Sequence, residues 1–310
     1  MSVLQTPGQG QAAAAPPQKG PKVFLDYDQA ELDRAYDQAA YAANIDQVRK
    51  RRIANSKLAR TRLGEPDRSA YGPSDIEKLD IYGCGRAGAP IMMFIHGGAW
   101  KNGTASEHAF AAEMFVRSGA HFVVPDFTGV EQAGGSLLTM ADQVRRAIAW
   151  VYAHGANFGG DPKRLYVCGH SSGAHLTSCA LTTDWQAGYN MPPDIIKGGI
   201  CVSGMYDLEP VRLSARSSYV RFDDETVAAL SAIRHLERIT MPVVLAYGTE
   251  ESPEFQRQTR DFAAALTAAG KRVQLLTGDG YNHFEIAETL GNPYGLLGRA
   301  ALEQMQLQPV

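Results

Sequence analysis

Residues 166–176 read YVCGHSSGAHL, which puts two adjacent serines, two histidines and two glycines in eleven residues. A serine hydroxyl is a weak nucleophile until a positioned base takes its proton. Ser171 is the centre of a G-x-S-x-G pattern, Gly169-His170-Ser171-Ser172-Gly173. An apolar run, 165–168, precedes it, and the helix-like AHLTSCALTT follows. In a strand–turn–helix setting the central serine sits on a sharp, strained turn, where side chains two positions before and after would strike neighbouring backbone. That turn presents the Ser171 hydroxyl and aims the Ser172 backbone N–H at a developing oxyanion beside the helix N-terminus. The Ser172 side chain is expected to pack or cap. His170 projects beside Ser171, and His175 lies one helical turn on. Both read as structural, so the base must come from elsewhere.

Other stretches offer the missing groups. FIHGGAW (94–100) ends an apolar run, and its glycines allow a backbone path whose N–H groups face a carbonyl oxygen. Gly98 and Ala99 are the expected oxyanion donors, with Gly97 shaping the turn and His96 anchoring the loop through a hydrogen bond. TGDGYNHFEI places His283 on a Gly-rich loop after the last apolar run, the best position among the eight histidines for a general base. The acid that orients this base should follow the preceding strand. LAYGTEESPEF offers Glu251, three residues past Gly248, and Glu250. Asp207, in SGMYDLEP, is the rival from the strand before. Candidate walls of the substrate pocket are Trp100, Phe127, Trp185, Tyr189 and Tyr206, and core packing is the competing reading for each.

These loops need a scaffold. Apolar runs at 79–82, 91–97, 121–127, 165–170, 198–204, 242–248 and 272–278 read as strands. They are apolar along most of their length, as strands covered on both faces are. Helix-like segments at 138–154, 172–182, 254–269 and 283–290 lie between them. The alternation predicts an α/β fold, a mostly parallel central sheet flanked by helices. Residues 26–60 form a helical lead-in by the three- and four-residue recurrence of Leu32, Tyr36 and Ala39/Ala40. The segment 205–240 is a possible short cap. Residues 1–22, rich in Gly, Ala, Pro and Gln, read as a disordered tail, and 23–310 as one domain. The RKRR run at 49–52 reads as a solvated helix face, with an anion site as the minor alternative.

Bulk properties narrow the class. With 30 basic and 33 acidic residues the formal charge is −3, which carries no basic excess of the nucleic-acid-binding kind. Cys84, Cys168, Cys179 and Cys201 form no CxxC pair and no zinc spacing, so buried free thiols and a reducing compartment are expected. No apolar run approaches the ~20 residues of a membrane span, and the N-terminus lacks the pattern of a secretory signal. A cytoplasmic location is the resulting expectation.

HGGAW, GHSSGAHL, SGMYDLEPV, ESPEFQRQ and GYNHFEI, in that order, resemble the arylformamidase (kynurenine formamidase)-like branch of the α/β-hydrolase superfamily, and YDQAELDRAYDQAAYAANIDQV resembles its helical lead-in. The resemblance covers about residues 26–305. It implies the α/β-hydrolase fold and a Ser171–Glu251–His283 triad, because the family's acid directly precedes an SPEF-like stretch. This chain has Glu251 where the family often has aspartate, and Ala99 where its loop often reads HGGYW. The implied reaction is hydrolysis of a small aryl amide, an aryl formamide or anilide, through an acyl-enzyme. The alternatives are a carboxylesterase for short acyl or aryl esters and, remotely, a non-catalytic binding protein on the same fold. No metal or organic cofactor is implied. The expected partner is a small molecule, not nucleic acid or membrane, and a homodimer stays open.

Overall fold

The computed structural model describes residues 19–310. The tail expected over 1–22 lies outside the described residues as far as residue 18, and 19–22 take no helix or strand. In chain order the elements are α1 (Gln29–Ala35), α2 (Ile45–Leu63), β1 (Asp67–Ala70), β2 (Lys78–Tyr82), β3 (Ala89–Ile95), α3 (Ala112–Arg117), β4 (His121–Pro125), α4 (Leu137–His154), β5 (Gly160–His170), α5 (Ser172–Leu181), α6 (Trp185–Tyr189) and β6 (Ile196–Val202). They continue with α7 (Glu209–Arg212), α8 (Asp224–Leu230), β7 (Val243–Gly248), α9 (Pro253–Ala268), β8 (Val273–Gly278), α10 (Glu285–Glu288) and α11 (Leu296–Met305).

The eight strands make one sheet in the order β1-β2-β4-β3-β5-β6-β7-β8. β1 and β2 pair antiparallel at one edge, and β4, β3, β5, β6, β7 and β8 run parallel. Alternate residues of β3 serve opposite faces. Ile91, Met93 and Ile95 join the core beneath α4, α5 and α9. Met92 and Phe94 join the core beneath α3 and α11. Both faces are thus covered, which is why the central strands read as unbroken apolar runs.

The helices show the same logic. Ser136 accepts the Thr139 N–H and starts α4, whose buried Leu137, Met140, Ala141, Val144, Ala147, Ile148 and Val151 recur at three- and four-residue spacing. Ser252 and Pro253 start α9 in the same way, with a side-chain cap and a ring that needs no donor.

Some elements differ from expectation. β1 and α11 were not anticipated: DRSA is too short and polar to announce a strand. The helix expected over 283–290 is the short α10 followed by a 3-10 turn at Thr289–Gly291, and His283 stays in the loop before it. β8 is an edge strand, so Gln274 and Leu275 are exposed despite the apolar run. The strands expected to reach 97, 127 and 204 stop at Ile95, Pro125 and Val202. The residues beyond them leave the sheet to form loops. Because β3, β5, β6, β7 and β8 are parallel, the loops after them leave from one edge of the sheet.

Candidate active site

The turn between β5 and α5 holds Ser171 at φ +59°, ψ −126°. A non-glycine residue there is strained, and the surroundings must hold it. The Ser171 N–H donates to the Val202 carbonyl at the end of β6, at 2.9 Å. Gly173 packs against the end of β3, where an added Cβ would lie 2.1 Å from the Ile95 oxygen. Only a residue without a side chain lets α5 start this close to the sheet. Ser172 is the first residue of α5, so its N–H has no acceptor within the helix.

His283 reaches Ser171 from the loop after β8. The Ser171 hydroxyl donates to His283 Nε2 at 2.8 Å, and His283 Nδ1–H donates to Glu251 Oε2 at 2.9 Å. Glu251 Oε1 accepts from the Gly248 N–H at 2.7 Å and from the Ser203 hydroxyl at 2.5 Å. Both carboxylate oxygens are therefore engaged in a buried setting, which fixes the carboxylate's orientation toward His283. The rival acids lie elsewhere. Glu250 is exposed. Asp207 accepts the Glu209 N–H and faces Arg234.

His170 makes no bond to Ser171. Its Nε2–H donates to the His283 backbone oxygen at 2.7 Å, and the two rings lie 4.7 Å apart. It therefore fixes the loop that carries the base. Burial and the neighbouring His283 hold its pKa well below the ordinary value. His175 accepts from Trp100 Nε1 at 3.2 Å through Nδ1 and donates from Nε2 to the Leu230 oxygen at 3.0 Å. Burial lowers its pKa to about 4. Both histidines have the structural placement expected of them.

The loop after β3 turns through three successive positive φ values: Gly98 at +125°, Ala99 at +55° and Trp100 at +62°. A Cβ on Gly98 would lie 1.9 Å from the Asn102 oxygen. The Gly98 and Ala99 N–H groups make no backbone hydrogen bond among the described residues, and both residues line the cavity with Ser171. The Ser172 hydroxyl accepts the Trp100 N–H at 3.1 Å, so the second serine ties this loop to the elbow. His96 donates from Nδ1 to the Gly97 oxygen at 3.0 Å and lies between the rings of Phe127 and His108, at 4.3 and 5.0 Å.

The cavity over Ser171 has a volume of about 390 Å³. None of the five aromatic residues expected to wall it does so. Trp100 turns inward onto His175, and Phe127 stacks on His96. Trp185 and Tyr189 pack together beside α4, where Tyr189 donates to Asp142. Tyr206 is stacked on Phe262 at 4.4 Å in the core. Trp100, Phe127, Trp185 and Tyr206 found enough apolar surface inside to be buried there, and Tyr189 is half-buried against it.

The lead-in supplies the wall instead. Tyr36, Asp37 and Gln38 precede α2, and Arg49, Arg52 and Ile53 of α2 face the cavity, joined by His108 and Phe284. From the expected cap segment 205–240 only Arg216 reaches it. The RKRR run is thus divided. Arg51 pairs with Glu288 at the surface, whereas Arg49 and Arg52 turn to the site. The signal was in the sequence, four basic residues on one helical stretch, but the direction of each depends on where α2 lies over the sheet.

Among the described residues no cluster of three or more His, Cys, Asp or Glu side chains is arranged to hold a metal ion, and no helix is long and apolar enough to cross a membrane. The four cysteines are free.

Comparison with known proteins gives concordant results. The BD-FAE family matches residues 79–192. The chain is 31% identical over 242 residues to kynurenine formamidase of Danio rerio, covering 76% of this chain and 80% of that one. It is 30% identical over 285 residues to kynurenine formamidase of Salmo salar, covering 86% and 93%. The propionate-bound thermophilic esterase Est2 of Thermogutta terrifontis superposes with a TM-score of 0.65 over 80% of this chain and 97% of that one, at 21% identity.

Proposed function

Since this chain belongs to the kynurenine formamidase family of α/β hydrolases and is a hydrolase of amide or ester bonds, we propose that it cleaves small aryl amides, of the formamide or anilide type, through an acyl-enzyme formed on Ser171. The observation that carries this reading is the continuous hydrogen-bonded chain Ser171 Oγ–His283–Glu251, set beside unpartnered N–H groups at one end of a cavity.

His283 Nε2 takes the hydroxyl proton as Ser171 Oγ attacks the substrate carbonyl. The tetrahedral oxyanion is held by the N–H groups of Gly98, Ala99 and Ser172. Glu251 keeps Nδ1 protonated, so Nε2 is the lone pair that faces Ser171. It also stabilises the imidazolium that forms. His283 then returns its proton to the leaving nitrogen, and the C–N bond breaks. Water, deprotonated by the same histidine, attacks the acyl-enzyme and releases the acid.

The identical machinery serves an ester, whose alkoxide leaves with less need of a proton. Measuring kcat/KM on formanilide and on phenyl formate with one enzyme preparation separates the two. Turnover of formanilide at a rate within about tenfold of the ester supports the amide reading. Ester turnover with no detectable anilide cleavage would assign the site to esters. A fluorophosphonate that fails to label Ser171 would rule out a serine nucleophile altogether.

A further inference from the structure

A second nucleophilic side chain stands at the far end of the sheet. Ser171 follows β5 at the edge where the parallel strands finish. Cys84 follows β2, whose last residue, Tyr82, pairs with Phe122 near the start of β4. The two residues therefore lie at opposite edges of the sheet. Of the four free cysteines, Cys168, Cys179 and Cys201 are buried and only Cys84 is partly exposed. Burial pushes the thiols of the other three up, that of Cys179 to about 12, which keeps them protonated and unreactive at neutral pH.

Cys84 has a partner. Its thiol donates to His121 Nε2 at 3.8 Å. His121 is the first residue of β4 and only 1% exposed, and Phe158 crosses its ring edge-on with the centroids 5.5 Å apart. Burial lowers the His121 pKa, so the ring is neutral at pH 7 and holds a lone pair for the thiol proton. The other ring nitrogen, Nδ1, is buried without a hydrogen-bond partner among the described residues. It faces Gly83, where an added Cβ would meet nothing but Nδ1, at 3.8 Å, apart from its chain neighbours. The absent side chain leaves open space between the loop and the ring, next to the thiol. A buried nitrogen without a partner is unfavourable until something pairs with it.

A partly exposed thiol, a neutral imidazole beside it and an open gap with an unused donor together make a site for a sulfur reagent. We propose that Cys84 is a thiol–disulfide exchange site, with His121 as its proton acceptor and a low-molecular-weight disulfide as its co-reactant. His121 Nε2 takes the thiol proton as Cys84 Sγ attacks one sulfur of the disulfide. The old S–S bond breaks as the new one forms, and the departing thiolate takes the proton back from His121. Cys84 is oxidised to a mixed disulfide, half of the co-reactant is retained on it, and the other half leaves as a reduced thiol. His121 Nδ1–H is placed to donate to a polar atom of the retained half. A small thiol reverses the exchange. None of this depends on the hydrolase reading.

The test applies 4,4′-dithiodipyridine to the full chain, to Cys84→Ser and to His121→Gln, and follows the thiopyridone released. The folded wild type should release one equivalent quickly and Cys84→Ser none, with the three buried thiols reacting only on unfolding. At pH 7 a free thiol is only ~3% ionised, so the wild-type rate constant should exceed that of N-acetylcysteine by about tenfold. His121→Gln should lose that advantage at pH 7 and match the wild type at pH 10, where the thiol ionises without a base. Hydrolysis of phenyl acetate should be the same in Cys84→Ser and wild type. A fast equivalent that persists in Cys84→Ser would overturn the proposal. So would a wild-type rate at or below that of N-acetylcysteine, a result that needs no variant to fold. Wild-type speed in His121→Gln at pH 7, or a deficit that remains at pH 10, would deny the histidine its part.

Discussion

Ser171 keeps its strained φ because three neighbours leave it no alternative: the Val202 carbonyl that takes its N–H, the close approach of Gly173 to β3, and His283 across the cavity. Replacing the hydroxyl removes the bond to His283 and with it the chemistry, but leaves the two backbone restraints in place. Ser171→Ala is expected to lower kcat by about 10⁴-fold or more with an unchanged thermal midpoint. Wild-type turnover by this variant would place the nucleophile elsewhere. Glu251 acts one bond further away. Glu251→Gln keeps the shape but presents an amide to a histidine that needs an acceptor, so kcat should fall by about 10³-fold or more. Ser203 has a subtler part. It sits at φ +55° just beyond β6, where its hydroxyl donates to Glu251. Ser203→Ala frees one carboxylate oxygen and should cost about tenfold in kcat while leaving KM within about twofold. A change confined to KM would deny Ser203 this positioning role. Ser171 and His283 were legible because each carries its own local signature, glycines around the serine and a loop after the last strand for the histidine, whereas the offset past Gly248 favoured Glu251 but left Glu250 and Asp207 as rivals. Ser203 had no such mark, since nothing local distinguishes it from other serines at strand ends.

At the scale of elements, the site depends on α5 starting hard against β3 and on the lead-in lying across the cavity. Gly173→Ala would drive a Cβ to 2.1 Å from backbone that cannot move without shifting the strand. A loss of about 3 kcal/mol or more is expected, read as a fall in the urea midpoint or as insoluble protein. The lead-in is held by Tyr36, whose hydroxyl donates to the buried Glu254 at 3.0 Å and accepts from Gln258 at 3.0 Å. Tyr36→Phe leaves Glu254 with Arg257 but without this donor. It should cost about 1–3 kcal/mol in denaturant unfolding. An unchanged midpoint would show that this contact does not secure the lead-in. The strands and main helices were legible because a sheet covered on both faces imposes unbroken apolar runs. β1 and the exposed register of β8 were not, because edge position is set by neighbours in space.

For the whole molecule the telling feature is the number of neutral histidines it encloses. Burial lowers the pKa of His96, His108, His170 and His175, the last to about 4. In the unfolded chain each titrates near its ordinary value of about 6.5. Between that value and the lower folded one, the unfolded state binds protons that the folded state refuses, so stability falls as pH falls. Each such histidine contributes about 1.4 kcal/mol per pH unit across that window. The thermal midpoint is therefore expected to drop steeply from pH 7 to pH 5, and His175→Asn should flatten the slope. A midpoint that holds or rises on acidification would contradict this account.

The sequence by itself determined the fold class and two of the groups that meet at the elbow, Ser171 and His283, and narrowed the third to Glu251, Glu250 or Asp207. Their signatures are short-range: glycines where backbone crowds, apolar runs where both faces are covered, and loops at strand ends. Only the tertiary structure decided which residues wall the cavity. The five aromatic candidates all packed elsewhere, and a polar lead-in took their place. An aromatic side chain is stabilised by apolar surface wherever it finds it, so its type does not say which surface it meets. The direction of Arg52 likewise depends on how α2 docks, over a hundred residues away in sequence from the serine it faces.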